Sequence, residues 1–195
     1  MKFAFICTWL LSCCLVNNSA WAIIEEVVLK WNPAICTGPC NGLISQQLNT
    51  VAGIDNIEIN ASAGVARLKW QPNAPFSYTD LNTASRTIGV RLNDIRVRVI
   101  GTIEYAVPNY YLASTGDNTR FLLIGPPNVR FGQYLPRNIA SYPLPPSIIQ
   151  QLSTAQTQGQ SLMIEGPLFG YERHLLILIT EQVKKPPKPR SSPVN

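Results

Sequence analysis

The sequence predicts an α+β fold built from two segments with different patterns. Up to about residue 95, apolar residues switch between strand and helix spacing in the order strand, helix, strand, strand, helix, strand. From residue 96 onward, strands dominate around a single helix. Apolar residues make up 46% of the 195-residue chain and charged residues only 14%, which excludes a highly charged disordered chain. Sixteen prolines also disfavour a helical bundle.

Turn and cap residues divide the first segment into its elements. Strands are predicted at residues 25–31, 54–59, 65–70 and 92–99. The first helix carries apolar residues at helical spacing and stops at Gly53. The second helix is capped by Ser77 or Thr79 and closed by Gly89.

The second segment has longer strands and one helix. Strands are predicted at residues 96–105, 110–114, 120–124, 161–165 and 174–183, with a helix at 145–157. Residues 93–105 alternate apolar and polar side chains, except that Ile100 falls on the polar face, and Gly101 is their only Gly or Pro. This pattern predicts one strand that continues from the first segment into the second, with Gly101 permitting a bend.

Residues 1–22 have the pattern of a secretory signal peptide. Lys2 gives a basic start, residues 3–16 are almost entirely apolar, and Ala20-Trp21-Ala22 forms an A-x-A cleavage site. Cleavage after Ala22 predicts a periplasmic or secreted mature protein without a transmembrane helix. A lipobox-like run that ends at Cys13 leaves lipoprotein anchoring as an alternative, and a retained N-terminal anchor is another.

The charge distribution disfavours nucleic acid as the partner. The chain has 16 Lys and Arg against 11 Asp and Glu. Lys2 belongs to the signal peptide, and four further cations lie in residues 184–195 with no acidic residue. Residues 23–183 are therefore neutral and lack the positive footprint of a nucleic-acid-binding body. The Pro- and Ser-rich tail at 184–195 is predicted to be disordered, as a solubilising terminus or a contact for anionic lipid or wall polymer.

Residues 24–95 carry cysteine, glycine and apolar positions at a recognisable spacing. These positions are Cys40-Asn-Gly-Leu-Ile44, Leu48, Val51, Gly53-Ile54, Ile57-Glu-Ile-Asn60, Gly64-Val-Ala-Arg-Leu68 and residues 81–89. They resemble the heavy-metal-associated domain of copper chaperones and metal-transporting ATPases. The resemblance implies a ferredoxin-like βαββαβ domain over residues 23–95, with a soft-metal site on its first loop. The family motif M-x-C-x-x-C is here Cys36-Thr37-Gly38-Pro39-Cys40, one residue longer, with Ala34 at the methionine position.

Residues 96–183 are predicted to form three strands, a helix and two strands. This order resembles the OB-fold, and implies a small OB-like β-barrel. OB-folds use exposed aromatic residues to stack on bases or sugars, and this surface is also where a protein partner is expected to dock. Strand alternation places about half of the aromatic residues in the core instead. The candidates are Tyr105, Tyr110, Tyr111, Phe121, Phe131, Tyr134, Phe169 and Tyr171.

Cys36 and Cys40 are the only cysteines outside residues 1–22. Cys40 is predicted at or near the start of the first helix, where backbone N–H groups and the macrodipole favour a thiolate. Two thiolates suit a soft ion such as Cu(I), which is also the role that the family resemblance implies. Export to an oxidising compartment leaves two alternatives, a structural disulfide and a redox-active pair.

No catalytic constellation is predicted. His174 is the only histidine, which disfavours a Ser/His/Asp triad and a four-ligand zinc site. Glu25 and Glu26 are adjacent on a predicted strand, so their carboxylates are expected on opposite faces. No glycine motif for phosphate binding occurs in the sequence.

These observations predict an exported, non-enzymatic protein of the cell envelope. Its first domain is expected to bind Cu(I) or a similar soft ion through Cys36 and Cys40, and its OB-like domain to dock a protein partner. The alternative is an interaction module in which a Cys36–Cys40 disulfide is purely structural and the OB-like surface is the binding site.

Overall fold

The computed structural model describes residues 23–35, 40–114, 117, 119–126, 142–171 and 175–187. Within these ranges the protein is a mixed α+β structure that contains a five-stranded β-barrel and three α-helices. The strands are β1 (Ile23–Trp31), β2 (Ile54–Asn60), β3 (Val65–Trp70), β4 (Leu92–Ala106), β5 (Asn109–Ala113), β6 (Arg120–Ile124), β7 (Ser161–Tyr171), β8 (Leu175–Ile179) and β9 (Gln182–Lys184). The helices are α1 (Cys40–Leu48), α2 (Tyr78–Thr87) and α3 (Pro146–Thr157). None of the described helices is long and apolar enough to cross a membrane.

The first four strands form an antiparallel sheet in the order β2-β3-β1-β4. Its side chains alternate between a buried and a more exposed face, as the twofold period of a strand requires. Val27 and Leu68 lie on the buried face, where they share a core with Leu48 of α1 and Leu81 of α2. The two helices therefore cover one face of the sheet and leave its charged face open.

The remaining strands close into a barrel in the order β4-β5-β6-β8-β7, with β7 returning to β4. Only the β6–β8 pair is parallel among these contacts; the other four are antiparallel. The chain passes through α3 between β6 and β7, and α3 buries Leu152 and Ala155. The short strand β9 adds to β7 outside the barrel.

One strand, β4, belongs to both the sheet and the barrel. Its residues pair with β1 from Leu92 to Ile100 and with β5 from Thr102 to Ala106. The opposite edge of β4 pairs with β7 over residues 96–102. The prediction of one continuous strand across the junction is therefore confirmed, and Gly101 lies inside it opposite Leu162.

A single hydrophobic core runs through both halves because of this shared strand. Val97 and Val99 of β4 are buried in the same cluster as Leu29 of the sheet and Phe121 and Ile164 of the barrel. A second, smaller cluster lies on the other face of β6 and β8 and contains Leu122, Ile124, Ile177 and Ile179. Both faces of these two strands are thus apolar and buried.

Two strand predictions near the C-terminus are wrong. The predicted strand at residues 161–165 continues to Tyr171, through Gly166 and Pro167. Pro167 is the last residue of β7 that pairs with β4, so its missing N–H falls where that pairing ends. The predicted strand at 174–183 is two strands, β8 and β9, because the chain turns at Thr180 and Glu181, where Glu181 N–H donates to both Ile179 and Glu165 carbonyls.

Several predictions concern residues outside the described ranges. These are the signal peptide at 1–22 with Cys13, the loop residue Cys36, the barrel aromatics Phe131 and Tyr134, His174, and the tail from residue 188 onward. They stay predictions.

Candidate functional site

The cysteine predicted to bind metal, Cys40, is the first residue of α1 and is disulfide-bonded. It is partly buried and packs against the main core. Since Cys40 is the only cysteine within the described residues, its disulfide partner lies outside them, as does Cys36. A sulfur in a disulfide is not a thiolate, so metal binding at this position requires reduction first.

Two large apolar residues flank Cys40 in the sequence, and we call Ile35, Cys40 and Leu43 the cysteine pole. Ile35 is 55% exposed and Leu43 is 51% exposed. The described part of the chain contains no group of three or more His, Cys, Asp or Glu side chains arranged to hold a metal ion. The cysteine pole therefore combines a disulfide-bonded cysteine with exposed apolar residues on either side of it in the sequence.

The second candidate surface is the β4–β5 hairpin, residues 104–111 of the barrel. Tyr105 and Tyr110 are cross-strand partners, and their ring centroids are 4.8 Å apart. Tyr105 is 45% exposed, and Val107 at the tip is 82% exposed. The peptide bond between Val107 and Pro108 is cis, within the tight turn that joins the two strands. This hairpin displays two tyrosine rings in tilted contact beside an apolar tip.

A cationic group lies over a third tyrosine on the outer face of the same hairpin. The Arg120 guanidinium carbon is 4.7 Å from the centroid of the Tyr111 ring. Arg120 Nη2 is also 2.7 Å from Glu104 Oε2, so the arginine bridges Tyr111 and Glu104. Glu104 and Tyr111 are themselves cross-strand partners. The arrangement holds the planar guanidinium against the aromatic face, as a cation–π contact requires.

The junction between sheet and barrel carries a chain of ion pairs on its open face. Glu26 of β1 contacts Arg67 of β3 at 2.9 Å and Arg98 of β4 at 3.2 Å. Arg98 also contacts Glu165 of β7 at 3.2 Å. These four side chains alternate in charge across four neighbouring strands, so the pairs link the sheet to the barrel. Within this chain of ion pairs, the two carboxylates balance the two guanidinium groups.

A polar clip joins the same two halves on another side. The Asp117 carboxylate accepts hydrogen bonds from the Phe76 backbone N–H at 3.2 Å and from the Thr119 backbone N–H at 3.2 Å. Burial raises the pKa of Asp117, but hydrogen bonds from Ser114, Thr119 and Phe76 outweigh it and hold the pKa below its ordinary value. The Phe76 ring lies between Trp70 and Phe121 at centroid distances of 5.1 and 6.4 Å.

The structure separates the residues that the sequence grouped as barrel aromatics. Phe121 is fully buried, whereas Tyr105, Tyr110 and Tyr111 gather on one hairpin. Val107 and Arg120 were not among the residues predicted from the sequence, although a Val107-Pro108 turn between two strands is a hairpin signal. The pairing register of β1 with β4 shifts between Ile24 and Glu26, and only Glu26 joins the ion-pair chain.

No protein-family model, curated protein or solved structure matches this chain.

Proposed function

We propose that this protein is an exported, non-enzymatic interaction module that docks a protein partner on the β4–β5 hairpin of its barrel. The observation that carries the proposal is the exposed Val107 tip beside the Tyr105 and Tyr110 rings, which contact each other at a tilt of 45°. On this proposal the Cys40 disulfide is structural. The open sheet face is a less suitable docking surface, because its Glu26, Arg67 and Arg98 side chains are already engaged in ion pairs.

The composition of the hairpin fits a protein interface. Tyrosine and arginine are enriched among the residues that dominate binding energy, whereas Lys and Glu are depleted. Tyrosine also contributes a large rigid contact area at low entropy cost. Arg120 is already oriented by Tyr111 and Glu104, so a partner that contacts it need not order a free side chain.

The strand order supports an assignment of the two halves to known architectures. The β1-α1-β2-β3-α2-β4 order with sheet order β2-β3-β1-β4 is the arrangement expected of a ferredoxin-like domain. The five barrel strands with a helix before the fourth are the arrangement expected of an OB-fold. In an OB-fold the loop between the first two strands borders the binding surface, and here that loop is the β4–β5 hairpin.

A disulfide at Cys40 would stabilise the short helix α1. α1 is nine residues long and buries only Ile44 and Leu48, so it is too short to be stable alone. A covalent bond at its first residue limits the conformations of the unfolded loop and favours the helix start. The proposed partner of Cys40 is Cys36, and the proposed compartment is the oxidising environment reached through the signal peptide.

Site-specific photo-crosslinking in the native cells tests the docking surface. A photoreactive residue at Val107 is expected to give a covalent adduct of one defined mass, and the adduct is expected to disappear when Tyr105→Ala is added. The same photoreactive residue at Ile149, another exposed apolar side chain but on α3, is the control. An adduct of equal yield at both positions, or none at Val107, would count against the hairpin as the docking site.

A thiol count separates the structural disulfide from the soft-metal hypothesis. Protein purified without reductant is expected to show no free thiol at Cys36 or Cys40. After reduction, Cu(I) is titrated against a competing chelator in wild type, Cys36→Ser and Cys40→Ser. Tight binding of one equivalent that both substitutions abolish would favour the soft-metal role, provided that the thiols are reduced in the native compartment.

A further inference from the structure

A cleft of about 410 Å³ lies where the sheet, α2 and the barrel strand β7 meet. This volume is within the usual range of small-molecule sites, roughly 300–1,000 Å³. Its position between two structural units is also where such sites occur preferentially. The side chains discussed below are Lys30, Trp31, Tyr78, Asn82, Asn93, Asp94 and Phe169.

The cleft is electrically neutral. Its lining contains one cation, Lys30, and one anion, Asp94, whose Nζ and Oδ2 atoms are 3.9 Å apart. The Asp94 side chain is buried, and Lys30 is partly exposed. Because these two charges face each other, the lining has no net charge left to attract an anion or a cation. The cleft therefore favours a neutral ligand.

Two buried polar atoms at the cleft lack hydrogen-bond partners among the described residues. They are the Trp31 Nε1–H, which can only donate, and Asp94 Oδ2, which accepts when ionised. Both atoms belong to residues that line the cleft but are themselves buried, so a small shift of side chains is needed before a ligand can reach them. An unpaired buried polar group is unfavourable, and a ligand group that can both donate and accept could pair with either atom. A hydroxyl group has this property.

The accessible part of the lining combines amides with aromatic rings. Asn82 on α2 and Asn93 at the start of β4 each offer a donor and an acceptor. Tyr78 and Phe169 contribute aromatic rings, and Tyr78 adds a hydroxyl. Planar amides suit neighbouring hydroxyl groups, and aromatic rings suit the flat apolar face of a sugar ring.

The wall of the cleft is held by a close backbone packing. Gly64 has a φ of 62°, and a Cβ at this position would lie 2.3 Å from the Trp31 carbonyl oxygen. The Trp31 N–H donates to the Gly64 carbonyl at 2.9 Å. A side chain at position 64 would therefore push the turn away from the end of β1. The cleft is preformed by backbone contacts and not only by side chains.

We infer that this cleft binds a neutral, polyhydroxylated small molecule of mono- or disaccharide size. Asn82, Asn93 and Tyr78 hydrogen-bond the hydroxyl groups, and Phe169 packs against the ring. The Trp31 Nε1–H and Asp94 Oδ2 gain hydrogen-bond partners from ligand hydroxyl groups as the lining adjusts. This site is separate from the β4–β5 hairpin, and its existence does not depend on the docking proposal.

Saturation-transfer NMR tests the inference on the unliganded protein. The probes are glucose, N-acetylglucosamine, cellobiose and diacetylchitobiose at millimolar concentration, with glucose 6-phosphate as the charged comparison. At least one neutral sugar is expected to receive saturation, and glucose 6-phosphate to receive none. Asn82→Ala and Asn93→Ala are each expected to weaken binding by about fivefold, the effect of one lost hydrogen bond. Asn56→Ala, at an exposed position on β2 far from the cleft lining, is the matched control and is expected to bind as wild type does.

Indole fluorescence supplies a second readout that a merely structural change would not mimic. Sugar binding is expected to shift the emission of the wild type, and Trp31→Phe is expected to abolish this shift while saturation transfer persists. No transfer from any of the four neutral sugars would overturn the inference. So would binding that Asn82→Ala and Asn93→Ala leave unchanged, or transfer to glucose 6-phosphate alone.

Discussion

The junction between sheet and barrel and the cysteine pole are held together in different ways. At the junction, β4 pairs with β1, β5 and β7, and the hydrophobic core continues from one half into the other. At the cysteine pole, α1 begins at a disulfide-bonded residue, and Leu43 and Ile35 are more than half exposed. The comparison teaches that backbone pairing and burial fix the first region, whereas a covalent bond compensates for scarce burial in the second.

The largest expected effect comes from a glycine at the junction. A Cβ at Gly166 would lie 1.8 Å from the carbonyl oxygen of Ile179, so the backbone itself must move. Gly166→Ala is expected to lower the free energy of unfolding by about 3 kcal/mol, the upper range for overpacking. Chemical denaturation of wild type and Gly166→Ala measures this difference in the free energy of unfolding.

A glycine in α1 provides the matched comparison at the cysteine pole. A Cβ added at Gly42 would meet no atom within 4 Å. Gly42→Ala is therefore expected to raise the free energy of unfolding by about 0.5 to 1 kcal/mol, because alanine has the higher helix propensity. Equal and small effects of Gly42→Ala and Gly166→Ala would contradict the contrast between the two regions.

Loss of the disulfide should affect the cysteine pole and spare the junction. Cys40→Ser is expected to cost about 2 kcal/mol of stability if the bond closes the short loop to Cys36. Amide hydrogen exchange is expected to accelerate in α1 but not in β4, and reductant should reproduce the effect in wild type. Faster exchange throughout β4 would show that the disulfide also supports the junction.

The Asp117 clip should make the junction sensitive to acid. Because hydrogen bonds hold the pKa of Asp117 below its ordinary value of 3.8, its stabilisation is full above that value and is lost as the pH falls through the lower folded-state pKa. Asp117→Ala is expected to cost about 1.5 kcal/mol near pH 7, since it removes charge-assisted hydrogen bonds to Phe76 and Thr119. Asp55→Ala, at an exposed position on β2, serves as the control. Thermal unfolding from about pH 3 to about pH 7, a range that includes the ordinary carboxylate pKa, measures the difference in stability between the two variants.

The smallest expected effect concerns Asp94, whose contribution to stability is expected to change with pH in the opposite direction to that of Asp117. Burial raises the pKa of Asp94, although Arg96 and Lys30 lower it and Glu181 adds to the increase. A raised folded-state pKa means that the folded protein holds this proton more tightly, so stability falls as the pH rises from 3.8 through the folded-state value. Asp94→Asn is expected to remove this fall. Identical pH profiles for Asp94→Asn and wild type would show that Asp94 titrates normally.

Local patterns in the sequence predicted the isolated elements well. Residues 65–70 alternate between apolar and other side chains, and residues 121–124 are continuously apolar after Arg120. Both segments form strands with the predicted bounds, 65–70 and 120–124. Ser77 caps α2 by accepting a hydrogen bond from the Asp80 N–H, and it was one of the two alternatives predicted for this cap. Period and capping are properties of neighbouring residues, so they can be recognised without the fold.

The candidate site was predictable only in part. The sequence identified Cys40 and the tyrosines of β4 and β5 as candidates, but it left open whether the cysteine is oxidised and which aromatics are exposed. Phe121 and Tyr105 are both aromatic residues of barrel strands, yet one is fully buried and the other 45% exposed. Exposure depends on the end of the barrel at which a residue lies, and alternation alone does not report that position.

The sequence by itself determined the α+β composition, the order of strands and helices up to β6, and the continuity of β4. The order of elements after residue 95 also indicated a barrel. Tertiary structure alone decided which strands pair to close that barrel, the extension of β7 through Pro167, and the division of the last strand into β8 and β9. It also created the cleft, whose walls come from residues 30 to 169 of the chain. The physical reason is that these features depend on contacts between residues far apart in sequence, and such contacts leave no periodic signal in the residues that make them.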